Sequence, residues 1–215
     1  EEKLLIKNSI DFIGLNHYTT FFVKDCLHSN CTCMHDNNNP TCTHGENRAI
    51  LGFLLTTAQD KDGVFIGDPM GLAGLYVVPQ GMEDIIDYIK KRYNNIPIFV
   101  TENGYSSYEN QQEGYDLDKD MKRIKFHKAY LASLARSIRN GANVRGYFIW
   151  SLMDTFEWTY GYTINYGLYH VDRLTLARSP KLSAHWYRDF LTNHSLNNIQ
   201  KRSSIYNNFM ENFQK

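Results

Sequence analysis

Three apolar runs in this sequence each end in residues able to do chemistry. Asp11 to Tyr18 closes on Asn16-His17-Tyr18, and Ile96 to Thr101 leads into Glu102-Asn103-Gly104. Val144 to Leu152 closes on Trp150-Ser151-Leu152, with Asp154 and Glu157-Trp158 just beyond. Carboxylates, amides, a phenol and two indoles therefore gather at run ends. Carboxylates cut glycosidic bonds, while indole faces stack on sugar rings and polar neighbours hold hydroxyls. A carboxylate acting as nucleophile must be ionised at working pH, so it needs donors nearby. Each residue also has a plainer reading. A Glu after an apolar run is often a solvated strand end or a helix-start charge, and Trp150 inside YFIWSL could be core. Glu157 and Trp158 follow their run on a loop, where core packing explains little. His127 and His185 fall on helical patterns and read as surface or packing residues.

The elements that must carry these residues follow from periodicity. The runs 11–18, 96–101 and 144–152 are nearly continuously apolar, as parallel strands covered on both faces should be. Residues 82–93 place Met82, Ile85, Ile86 and Ile89 on one helical face, with Glu83, Asp84 and Asp87 early and Lys90, Lys91 and Arg92 late, which suits the helix dipole. Residues 117–140 repeat that pattern with Leu117, Met121, Ile124, Leu131, Leu134 and Ile138, between an N-cap at Asp116 and a stop at Gly141. A third helix is expected over 181–191, after Pro180. Alternating strands and helices mean an α/β architecture with a parallel sheet. A complete (β/α)8 barrel needs eight such units in about 250 residues. Three are legible here, so the pattern reads as part of a barrel, although a small doubly wound sheet also fits it. In a barrel, catalytic groups sit at the C-terminal ends of strands, where Glu102 and the two other clusters fall. The segment 21–78 reads as a long irregular connection, of the kind that is usually functional or mobile.

Bulk composition narrows the partners. The chain has 215 residues, is rich in Tyr (15) and Phe (12), and balances 23 Lys plus Arg against 23 Asp plus Glu. Zero formal charge argues against a nucleic-acid or anionic-membrane partner, and no apolar run reaches the roughly 18 residues of a membrane span. Cys26, Cys31, Cys33 and Cys42 cluster among Asn, Thr, Ser and His. A zinc site completed by His28, His35 or His44 would call for paired C-x2-4-C units at regular spacing, which this stretch lacks. A loop disulfide in an oxidising compartment fits better, with three pairings open. The sequons Asn30-Cys31-Thr32 and Asn193-His194-Ser195 point to the same secretory environment. No metal and no cofactor are expected, and the Cys loop offers no nucleophile context for a Cys-His pair.

At this point the motifs resemble a known family. IPIFVTENGY resembles the nucleophile motif of glycoside hydrolase family 1, in which T-E-N-G follows a strand. DFIGLNHYTT is similar to the family's sixth barrel strand. GANVRGYFIWSLMDTFEWTYGYTINYGLYHVD is similar to its eighth strand and following sugar-binding loop, and SPKLSAHWYRDFL to its closing helix. The blocks run in the family's order across residues 11–191. The resemblance implies a (β/α)8 TIM barrel of which this chain holds about strands 6 to 8, with 1–215 forming the C-terminal portion of one domain. It implies a retaining β-glucosidase acting on a small β-glucoside, with an aryl or other small aglycone. YTTFFVKDCLHSNC and the closing block look most like plant members, nearest the branch acting on phenylpropanoid glucosides.

The resemblance also assigns roles. Glu102 would attack the anomeric carbon, and Tyr18 would hydrogen-bond that carboxylate. Asn16, two residues earlier on the same strand face, would also point inward. Trp150 would lie under the sugar ring, Glu157 would grip hydroxyls remote from the cleaved bond, and Trp158 would bind beside it. Two departures stand out: Asn165-Tyr166 where the family usually has Arg-Phe, with Tyr166 bordering the sugar site, and Tyr130 where a helix His is usual. The family's general acid/base is the Glu of an N-E-P motif, and no N-E-P occurs in this sequence. Retaining hydrolysis needs two carboxyl groups about 5–5.5 Å apart. The chain thus reads as a fragment or truncated product of an enzyme. The competing reading is a catalytically inactive sugar-binding or scaffold protein of the same fold.

Overall fold

The computed structural model describes residues 9–25, 54–108 and 119–193. In chain order these hold β1 (Ile13–Asn16), β2 (Phe22–Asp25), β3 (Leu54–Thr57), β4 (Asp68–Pro69), β5 (Tyr76–Val77), α1 (Pro79–Arg92), β6 (Ile98–Asn103), β7 (Ser107–Tyr108), α2 (Met121–Arg139), β8 (Val144–Ile149), β9 (Ile164–Asn165), β10 (Tyr169–Val171), β11 (Arg178–Pro180) and a helix α3 over 182–193.

The central feature is a three-stranded parallel sheet in the order β1-β6-β8. Parallel neighbours need a crossover, and α1 and α2 supply the two crossovers. Both helices pack on one sheet face. Met82, Ile86, Ile98, Val100, Phe126 and Tyr130 meet there with almost no exposure. The Phe126 and Tyr130 ring centroids are 4.2 Å apart. The opposite face is bare among the described residues: Phe12 is 54% exposed and Phe148 56%. Phe12 and Phe99 meet edge to face at 5.3 Å on that side, and Gly146 leaves room for the Phe99 ring. The expected burial on both faces is therefore met only on the helix side. A continuous apolar run shows that both faces avoid water in the finished fold, not which elements cover them.

The helices differ in detail from their sequence patterns. α1 starts at Pro79 rather than 82, because proline at the first helical position needs no backbone N–H partner. Glu83, Asp84 and Asp87 thus lie beyond the first turn, while Lys90, Lys91 and Arg92 do occupy the last. α2 is described from Met121; Asp116 and Leu117 lie outside the described residues. Its buried face is half polar, with Arg123, His127, Ser133 and Ser137 among Ile124, Phe126, Tyr130 and Leu134. Met121 and Ile138, read as core from their spacing, are exposed. The segment 21–78 is not wholly irregular: β2 pairs antiparallel with β3, and β4 with β5. The four Cys and their pairing lie outside the described residues.

Candidate active site

The end of β6 carries a register shift against both neighbours, between Val100 and Asn103 on one side and opposite Leu15/Asn16 on the other. Strict alternation would put Val100 and Asn103 on opposite faces, yet both are fully buried. The extra residue makes this possible and re-aims the intervening pair, a common use of a bulge beside an active site. Thr101 Oγ1 donates to Asn16 Oδ1 at 2.6 Å. Glu102 turns to Tyr18, whose hydroxyl donates to Glu102 Oε2 at 2.7 Å. Burial, that hydrogen bond and the charge of Glu102 all push the Tyr18 phenol well above its ordinary range, so it stays a donor. The Tyr18 ring meets Tyr166 edge on, with centroids 5.8 Å apart.

The end of β8 builds the next wall. Trp150 donates its backbone N–H to Asn103 O at 3.0 Å, which keeps it level with the end of β6. Glu157 is buried and hydrogen-bonded by the Trp150 side chain. Its carboxyl is raised above the ordinary range, chiefly by desolvation; the Trp150 bond opposes that shift and the charge of Glu102 adds to it. Trp158 opens a 3-10 turn at φ +44° and is 83% exposed. Tyr166 is buried at 4% exposure, with its phenol pushed up to about 12 by burial and bonded to the Ser106 side chain. The hydroxyl that distinguishes it from phenylalanine is therefore engaged by Ser106. Tyr18, Glu102, Trp150, Glu157 and Tyr166 thus form one group. Asn16 joins it through Thr101, and Trp158 stands at its rim.

The loop carrying Glu157 and Trp158 is tied down by buried ions. Lys181 Nζ lies 2.8 Å from both Asp154 carboxylate oxygens, and each side chain is almost inaccessible. Asp154 Oδ1 also accepts the Gly167 N–H at 2.8 Å. A Cβ at Gly167 would sit 2.2 Å from the Asp154 nitrogen, so only glycine permits this approach. One layer below, buried Arg123 pairs with Asp120 and donates to Tyr105 O, Ser107 Oγ and Asn165 O. Asp120 in turn accepts the Ser183 N–H at the start of α3. These ties hold the strand ends and the Tyr166 segment in one frame.

Sequence reading left several of these residues without a role. Asp154 and Asn103 stood in the right motifs but had no assigned partner. His127, read as surface or packing, is wholly buried and bonds Tyr147. The available signal was a run of polar positions, Arg123, His127, Ser133 and Ser137, at helical spacing on one face of α2.

The chain as a whole is similar to known proteins. The model of glycosyl hydrolase family 1 matches residues 1–196. A rice protein named probable inactive beta-glucosidase 14 is 48% identical over 89% of this chain and 35% of its own length. The coniferin beta-glucosidase of Pinus contorta is 40% identical over 93% of this chain and 37% of its own. Among solved structures, a rice β-glucosidase aligns with TM-score 0.72 at 40% identity, over 86% of this chain and 37% of that one. A β-glucosidase from the fungus Humicola insolens in complex with glucose aligns with TM-score 0.74 at 33% identity, over 89% and 38%. The chain spans little more than a third of the length of these relatives, so its parallel sheet and two crossovers are a section of their TIM barrel. On the family model and these relatives, the chain belongs to glycosyl hydrolase family 1.

Proposed function

We propose that this chain supplies the nucleophile side of a retaining β-glucosidase, cleaving a terminal β-D-glucoside from an aryl or other small aglycone. The observation that carries the reading is the 2.7 Å hydrogen bond from Tyr18 to Glu102, made across two strand ends beside the Trp150–Glu157 pair. Glu102 attacks the anomeric carbon as the glycosidic C–O bond breaks. A second carboxyl, carried by the barrel portion that this chain lacks, protonates the departing oxygen. Water then attacks the glycosyl ester, losing its proton to the second carboxylate and releasing Glu102. Glu157 and Trp158 hold the sugar hydroxyls, Trp150 and Tyr166 wall the ring, and Asn16 keeps its amide toward the same space. The small-aglycone assignment is supported by the relative named for coniferin. The secretory assignment is supported by the sequon at Asn193, which is exposed at the end of α3.

The competing reading, a sugar-binding protein without catalysis, draws support from the relative named probable inactive. An intact tyrosine-to-carboxylate bond favours the enzyme, because a binding module has no need of an ionised nucleophile. The test is Glu102→Gly in the complete enzyme, with the rest of the barrel present. Turnover of an aryl β-glucoside should fall by several orders of magnitude. Azide should restore it and give a glucosyl azide of inverted configuration, because the anion enters from the face the carboxylate vacated. Near-normal turnover without azide would overturn the assignment.

A further inference from the structure

Glu102 and Tyr18 face each other across the ends of β6 and β1, and the two backbones are clasped beside them. His17 donates its N–H to Glu102 O at 2.9 Å, the last backbone rung between these strands. One more rung follows, and a side chain makes it: Asn103 Nδ2 donates to His17 O at 2.7 Å. The peptide groups on both sides of His17 are therefore held by Glu102 and Asn103. Tyr18 leaves directly after that clasp on one strand, and Glu102 sits directly before it on the other.

The Asn103 amide is itself fixed from behind. Its Oδ1 accepts the Tyr147 hydroxyl at 2.7 Å, and the Tyr147 oxygen lies 2.9 Å from His127 Nδ1. Proton counting gives the direction. Asn103 faces His17 O with its amino group, so its oxygen can only accept, and Tyr147 spends its one proton there. His127 Nδ1 must then carry hydrogen and donate. Burial holds the imidazole neutral, at a pKa of about 3, and Nε2 has no partner. Asn103 and His127 are fully buried. A chain of directed hydrogen bonds thus runs from α2 through β8 to the peptide beside Glu102.

We propose that Asn103, oriented by Tyr147 and His127, is a positioning residue that sets the Tyr18–Glu102 alignment by clasping the ends of β1 and β6. The inference rests on the reading of Glu102 as nucleophile. If alignment passes through this clasp, loosening it should cost the chemical step and spare sugar binding, which Glu157 and Trp158 carry.

The test is a double-mutant cycle in the complete enzyme, read on an aryl β-glucoside. Tyr147→Phe removes one hydroxyl and should lower kcat by about tenfold or more while KM changes less than about threefold. Tyr18→Phe lowers kcat through the same bond, so the Tyr18→Phe/Tyr147→Phe double variant should be no slower than Tyr18→Phe alone. If Tyr147→Phe folds poorly, His127→Phe/Tyr147→Phe removes the orphaned donor as well and should show the same kcat loss and the same non-additivity. A kcat within twofold of the parent, or factors that multiply in the double variant, overturns the clasp as a positioning device. A lowered Tm with unchanged kcat does the same. Glu102→Gly separates the two readings. If it is inactive while Tyr147→Phe is normal, only the clasp falls; if it turns over normally, the nucleophile assignment falls first.

Discussion

On the proposed reading, the Tyr18 hydroxyl at 2.7 Å helps to position Glu102 for its attack. A hydrogen bond to a charged group contributes about 1.5–3 kcal/mol, so Tyr18→Phe should slow glycoside cleavage by about 10- to 150-fold. KM should stay near the parent value; steady-state kinetics check both. Two buried histidines contribute to the acid behaviour. Burial holds His17 at about 4, and holds His127 at about 3 with help from the Arg123 charge. Both lie below the unfolded value of about 6.5, so the unfolded chain binds more protons at mildly acidic pH. Their stabilising effect is complete above pH 6.5 and is lost as pH falls toward 4, at about 1.4 kcal/mol per pH unit for each. Thermal melts of the complete enzyme between pH 7 and 4 should show that fall, and His127→Phe should flatten it. The chemistry-bearing residues at strand ends were legible from sequence because residue type and run boundary coincide there. Asn103 was not, because its inward aim depends on a bulge that shifts the alternation by one, and a one-residue shift leaves no mark on composition.

The loop from Trp150 to Leu168 keeps its shape through its clip to α3. Lys181→Met leaves Asp154 buried without its cation, and breaking a buried pair from one side costs about 3–5 kcal/mol. The complete enzyme should melt lower and, on the proposed reading, bind glucose more weakly, since the proposed sugar contacts Glu157 and Trp158 ride on this loop; calorimetry and inhibition by glucose measure the two. Lys181→Met/Asp154→Leu should regain much of the melting temperature, because no unpaired charge remains. At this scale the three parallel strands, the helices between them and α3 followed from periodicity, and Pro79 marked a helix start that the apolar spacing alone set too late. The buried face of α2 did not follow. Arg123 and His127 are interior because Asp120, three backbone or hydroxyl acceptors and Tyr147 engage most of their polar atoms, leaving only Arg123 Nε and His127 Nε2 without a partner. A hydropathy pattern scores such residues as surface.

The described section of the molecule exposes one whole face of its central sheet, including Phe12 and Phe148, and leaves β1 and β8 as open edges. Unpaired parallel edges next to bare aromatic surface invite association. The 215-residue chain on its own should therefore elute as aggregate or melt without cooperativity, and co-expression with the rest of a family 1 barrel should restore a monomeric, cooperative species. Size-exclusion chromatography and a thermal scan decide this. A parallel strand-helix array was legible from the sequence pattern, and the barrel from the family resemblance; which face of the sheet stays bare was not, because its apolar residues look the same whether a chain covers them itself or not. Lys181, at 3% exposure, gives the seating of the Asp154 loop a chemical record of its own. Its amine is hidden only while the loop lies over the start of α3, whereas the Lys61 side chain is 87% exposed. A brief pulse of an acylating reagent should mark Lys61 at every stage of refolding and Lys181 only in molecules that have not yet shut, so the ratio of the two modified peptides counts the finished ones.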